Sequence, residues 1–126
     1  MTGPGGMGGV PTIDPATAEA RLHGGEAPAP ILLDVREPVE HAEVRAVGAV
    51  LAPMSTLGAR LDELPRDRPL FIICAVGGRS GQVTAYLLAN GWTDVLNVAG
   101  GTVAWERAGL PVRRGVPAAE ESEIPR

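Results

Sequence analysis

Apolar positions recur along the chain in two rhythms. Ile31-Leu32-Leu33, Ala49-Val50-Leu51, residues 70–73 and residues 95–98 are short apolar runs that read as strands. The run Leu70-Phe71-Ile72-Ile73 has no polar member, which predicts a central strand covered on both faces. Helical signals lie between these runs. Residues 15–23 follow an Asp14-Pro15 start and end at Gly24-Gly25. Residues 37–43 carry Pro38 near their start, and residues 55–64 place Leu57, Leu61 and Leu64 at helical spacing before Pro65. Residues 80–90 form the clearest helix, stopped by Asn90-Gly91, and residues 102–108 form another, stopped by Gly109 and Pro111. Strands alternating with helices at this interval predict an α/β fold with a mainly parallel sheet and helices on both faces. Ligands of such sheets sit beyond the carboxyl ends of the strands, which directs attention to the segment after Ile73.

The chain has 126 residues, a length that suits one domain. Residues 1–11 are Gly-rich with few large apolar side chains and are expected to be flexible; residues 113–126 are polar and Pro-containing and are expected to fray. The folded domain is then 12–112. Eleven basic residues, all Arg, against fifteen acidic ones give a net charge of −4. With no basic cluster, nucleic acid and anionic membrane surfaces are poor partners. The longest apolar run, residues 70–76, is far shorter than a bilayer span. Residues 1–10 have neither the charge nor the apolar stretch of a signal peptide. The one cysteine excludes an internal disulfide, so a cytoplasmic location is expected.

That cysteine lies at the start of Cys74-Ala75-Val76-Gly77-Gly78-Arg79-Ser80, which joins the clearest strand to the clearest helix. The glycines let the backbone curl with its N–H groups inward. The helix start adds the positive end of its dipole and Arg79 adds a full charge. All three favour an anion in the loop, including the reactive thiolate of Cys74. A buried core cysteine is the structural alternative.

Three blocks in order resemble the single-domain rhodanese (sulfurtransferase) family over residues 12–112. They are Leu33-Asp34-Val35-Arg36-Glu37 followed by Gly48-Ala49 and Pro53; the loop from Cys74 to Ser80; and Gly100-Gly101-Thr102-Val103-Ala104-Trp105 with Ala108-Gly109-Leu110-Pro111-Val112. The resemblance implies a three-layer α/β fold on a five-stranded, mainly parallel sheet. It implies transfer of a sulfane sulfur through a Cys74 persulfide, from a donor such as thiosulfate or a persulfide to cyanide, a thiol or a protein acceptor. No cofactor or metal is implied. Two positions depart from the family pattern. Val44-Arg45-Ala46-Val47 stands where the family shows Gly-His-Ile, which leaves open whether Arg45 takes the role of that His. Ala75 stands where thiosulfate-using members often carry Arg.

Roles follow for the remaining candidates. Ala75, Val76, Gly77, Gly78, Arg79 and Ser80 form the substrate-binding loop, with Arg79 either binding an anionic donor or pairing with a bracing carboxylate. Arg36 either lines the pocket or pairs structurally, and Asp34 is read as a support in an ion pair or cap. Ser80 caps the helix or reaches the sulfur. His23 and His41 are expected at the surface, Trp92 and Trp105 in packing, and Glu120, Glu121 and Glu123 in a solvated tail. Gly100-Gly101 lacks the Lys and spacing of a phosphate loop, and two His with one Cys give no metal-ligand spacing. Two rival functions remain: a Cys-dependent phosphatase, disfavoured because its loop is Cys-x5-Arg and this one is Cys-x4-Arg, and a non-catalytic rhodanese-like binding module, disfavoured because Cys74 is present.

Overall fold

Every residue of Ile31–Asp34 (β2) and Leu70–Ile73 (β5) is buried: the apolar residues leave no polar face to turn to water, and Asp34 is paired with Arg36 and His41. They form the middle of a five-stranded parallel sheet in a computed structural model that describes residues 9–125. The order is β1 (Thr12–Ile13), β6 (Val95–Val98), β5, β2, β4 (Ala49–Leu51). Register brings Asp34 level with Ile73 and with Leu51, so three strands end on one rim.

Side-chain alternation along the strands builds two cores. Leu33, Leu70, Ile72 and Val95 face α4 (Gly78–Ala89), meeting Val83 and Leu87. Leu32, Phe71, Ile73 and Val98 face α1 (Pro15–Leu22) and α5 (Gly101–Arg107), meeting Ala18 and Trp105. Cys74 continues the alternation of Leu70 and Ile72 and falls on the α4 side. Trp92 and Trp105 are both buried, with their indole N–H groups donating to the carbonyls of Pro65 and Pro111.

Local signals account for most boundaries. The Asp14 carboxylate caps α1 at Thr17 N, and the Glu40 carboxylate accepts from Glu37 N at the start of α2 (Pro38–Glu43). The helix expected over 55–64 is instead a single turn, α3 (Met54–Leu57), followed by a 3-10 stretch, Gly58–Glu63, with Arg60 outside helical geometry. Its three leucines still reach the core, which tighter winding also permits.

Three expectations are corrected. Residues 1–8 of the N-terminal tail lie outside the described residues, but order is present at residue 11, where Pro11 O accepts from Asn97 N. Residues beyond 113 are not a frayed tail. β7 (Val112–Arg113) pairs antiparallel with β3 (Arg45–Ala46), Ile124 enters the core, and Arg45 clasps the segment by donating to Glu121 at 2.7 Å and to Gly115 O at 2.8 Å. Glu121 is therefore an ion-pair partner rather than a solvated carboxylate. His41 is not at the surface: α2 buries it completely, with Nδ1 2.8 Å from Asp34 and Nε2 without a partner among the described residues. His23 is exposed.

Arg45, buried itself, ties the last dozen residues to the domain. Arg45→Ala is expected to cost about 1.5–3 kcal/mol and to raise amide exchange across 112–124, with the central strands unchanged. Unchanged exchange there would show that Ile124 and the β3–β7 pairing anchor the segment without Arg45.

Candidate active site

The loop after β5 takes its shape from a glycine and from a helix behind it. Gly77 has φ +109°, a left-handed conformation that L side chains rarely adopt, and it turns the chain into α4. No side chain caps α4, so the amides of its first turn remain available to an anion. Behind the loop, the first turn of α5 takes the carbonyls. Thr102 N and Oγ1 donate to Cys74 O at 2.8 and 3.0 Å, and Val103 N donates to Ala75 O at 3.1 Å. With those two carbonyls pulled outward, the neighbouring N–H groups are left to face in.

Cys74 Sγ sits against these donors. Gly77 N donates to it at 3.1 Å and Ser80 Oγ lies 3.2 Å away. Burial opposes ionisation, but the Ser80 hydroxyl and the amides of Ser80, Gly77 and Val76 outweigh it and hold the thiol below its usual range. Cys74 is 1% exposed, so the sulfur lies on the floor of the loop, with Val76 standing exposed at the lip.

Arg79 does not project freely into the loop. Nη1 and Nη2 make a bidentate pair with Glu40 of α2 at 2.8 and 2.9 Å. The guanidinium lowers the Glu40 carboxyl to about 2, and the carboxylate in turn raises Arg79. The charge of Arg79 also favours the Cys74 thiolate, since each stabilises the other's charged form. Arg36 does not line an open pocket. It is buried, donating to both Asp34 oxygens and, at 2.6 Å, to Val44 O. Burial works to raise the Asp34 carboxyl, but hydrogen bonds from His41 and Arg36 prevail and keep it low. Asp34, Arg36 and His41 thus form a buried ionic cluster that braces the rim between β2 and α2.

Sequence reasoning passed over Glu40 and Asn97, and it read Gly101 only as part of the closing block. Glu40 is the partner of Arg79. Gly101, at φ +62°, lies so close to the loop that a Cβ there would stand 2.5 Å from the carbonyl oxygens of Cys74 and Ala75. Asn97 of β6 is nearly buried and lies 2.5 Å from Ser80 Oγ. Beside the loop is an open cleft of about 620 Å³ whose lining, including Val76, Gly77, Gln82, Asn97 and Gly100, carries no charged side chain; Cys74 is not part of that lining. Among the described residues no helix can cross a membrane and no His/Cys/Asp/Glu group is placed to hold a metal.

The model of the rhodanese-like domain matches residues 14–108. The chain belongs to the rhodanese-like family. A protein of Allochromatium vinosum named sulfurtransferase is 43% identical over 82 residues, covering 65% of this chain and 77% of that one. A thiosulfate sulfurtransferase of Actinobacillus succinogenes is 35% identical over 65% of this chain and 74% of its own. The crystal structure of a rhodanese-related protein from Thermoplasma volcanium superposes with a TM-score of 0.71 at 29% identity, covering 82% of this chain and 97% of that one. The five-stranded parallel sheet with helices on both faces is thus a rhodanese-like fold.

Proposed function

We propose that this chain is a sulfurtransferase that carries a sulfane sulfur on Cys74, and the observation that supports it is the thiol's position among the inward amides of its loop. Cys74 thiolate attacks the outer sulfur of thiosulfate; a new S–S bond forms, the donor's S–S bond breaks, and sulfite leaves with the electron pair. The product Cys74–S–S⁻ keeps its charge within reach of the loop amides and the first turn of α4. Cyanide or a thiolate, free or on a protein, then attacks the outer sulfur and the Cys74 thiolate leaves. No general base is needed, because the nucleophile is already favoured as an anion. A free, reducible sulfur of this kind suits a reducing compartment such as the cytoplasm.

The Arg79–Glu40 pair argues against a phosphatase, because its guanidinium is committed to a carboxylate rather than open to a phosphoryl group. It also makes thiosulfate compete with Glu40 for that charge, and no second cation stands at Ala75. Glu40→Gln is therefore expected to lower the KM for thiosulfate about two- to fivefold, the range of a half-exposed ion pair, with little effect on a neutral persulfide donor. An unchanged KM would assign Arg79 to bracing alone. The reading as a whole is tested by intact mass. After incubation with thiosulfate or a low-molecular-weight persulfide the protein should gain one sulfur that cyanide removes; no adduct with either donor would favour a binding module.

A further inference from the structure

The Ser80 hydroxyl has one proton and two neighbours that can use it. Its Oγ lies 2.5 Å from Asn97 Oδ1 and 3.2 Å from Cys74 Sγ. Two oxygens that close share a proton between them, so Ser80 donates to Asn97 for as long as Cys74 keeps its own proton. Toward Cys74 it then turns lone pairs, which suit a neutral S–H. A thiolate has no proton to offer and requires the hydroxyl to turn round. Ser80 can do that only by giving up Asn97.

Asn97 is held firmly enough to act this way. Its backbone N–H donates to Pro11 O at 2.8 Å, and its Nδ2 reaches Gly77 O at 3.4 Å, a carbonyl already satisfied by Gly81 N at 3.0 Å. Through Ser80 and Gly77 the same side chain touches both side-chain and main-chain donors to the sulfur. The charged groups around Cys74 are few. Arg79 of α4 is the cation that acts on it, paired with Glu40 of α2, and Asp34, Arg36 and His41 form their own cluster at the end of β2 and on α2. From β6 and α5 the neighbours are Asn97, Gly101 and Thr102, none of which titrates.

We propose that Asn97 is a positioning residue that competes with Cys74 for the single proton of Ser80 and so sets how readily the resting thiol ionises. The proposal builds on Cys74 as the nucleophile, but its test uses no sulfur donor. Cys74 is the only cysteine, so the pH profile of alkylation by iodoacetamide reads one site. Asn97→Leu keeps the approximate size and removes the competing oxygen. Its profile should shift to lower pH by about one unit, tenfold in thiolate fraction below both midpoints. Asn97→Asp offers Ser80 only oxygens and should shift the profile upward by at least as much. In a Ser80→Ala background, where there is no proton to contest, Asn97→Leu should leave the midpoint nearly in place.

A midpoint unmoved or raised by Asn97→Leu overturns the proposal, as does an equal shift with Ser80 absent. Should the Leu variant fail to fold, the near-isosteric Asp variant decides, and an unmoved or lowered midpoint there has the same consequence. Failure to load sulfur would count against the sulfurtransferase reading and leave these profiles unaffected.

Discussion

Cys74→Ser should fold as the parent chain does and take up no sulfur from any donor. The replacement is smaller by little, and the donors around the sulfur, Gly77 N at 3.1 Å and Ser80 Oγ at 3.2 Å, can serve an oxygen in its place. Chemistry is lost because a hydroxyl does not ionise near neutral pH and forms no persulfide. Burial of the resting sulfur, 1% exposed, is compatible with reaction: a bound outer sulfur stands about 2 Å beyond the cysteine sulfur along an S–S bond. Linkage supplies a second readout. The native thiol is held below its usual range, so its contribution to stability is complete above the ordinary thiol value and is lost as pH falls through the native midpoint. The stability margin of the native chain over Cys74→Ser should therefore widen as pH rises through that midpoint and level off above the ordinary value. A margin independent of pH would mean that the loop does not favour the anion, and sulfur loading of the Ser variant would place the chemistry elsewhere.

The strands that build the sheet were legible because burial on both faces leaves an unmistakable apolar run, as in Leu70–Ile73. Two-residue strands such as β1 and the β3–β7 pair carry no period to read, and only the packed fold explains them. His41 was misplaced for a related reason: α2 has six residues, too few for spacing to tell its buried side from its wet one. The sulfur's immediate surroundings were readable from one contiguous segment, Cys74 to Ser80. Its supports were not, because they arrive from distant elements: Glu40 from α2, Asn97 from β6, Gly101 and Thr102 from α5. One of them did leave a trace. A polar residue within the apolar stretch Val95-Leu96-Asn97-Val98 must find a partner if it faces inward, and Asn97 shares the inward face of Val95.

Gly101→Ala is expected to cut sulfur loading about a hundredfold, on the scale of a catalytic group displaced by roughly 1 Å. The added Cβ would lie 2.5 Å from Ala75 O, 2.5 Å from Cys74 O and 2.6 Å from Ala75 C. All three are backbone atoms, so no rotamer change relieves the overlap. Either α5 or the loop must move, and movement of either stretches the bonds from Thr102 N and Val103 N that hold the loop carbonyls outward. Once released, those carbonyls can turn toward the sulfur, and a carbonyl oxygen facing an anion repels it. The alkylation midpoint of Cys74 should therefore rise as loading falls. Gly109→Ala separates the clash from the backbone effect. Gly109 has a similar φ, +77° against +62°, but open space where the Cβ would go. Gly109→Ala should thus cost about 1–2 kcal/mol of stability for its left-handed backbone and leave the loop intact. Equal loss of loading in both variants would trace the effect to general instability. Loss confined to Gly101→Ala would establish that the amides around Cys74 face inward because α5 holds their carbonyls away.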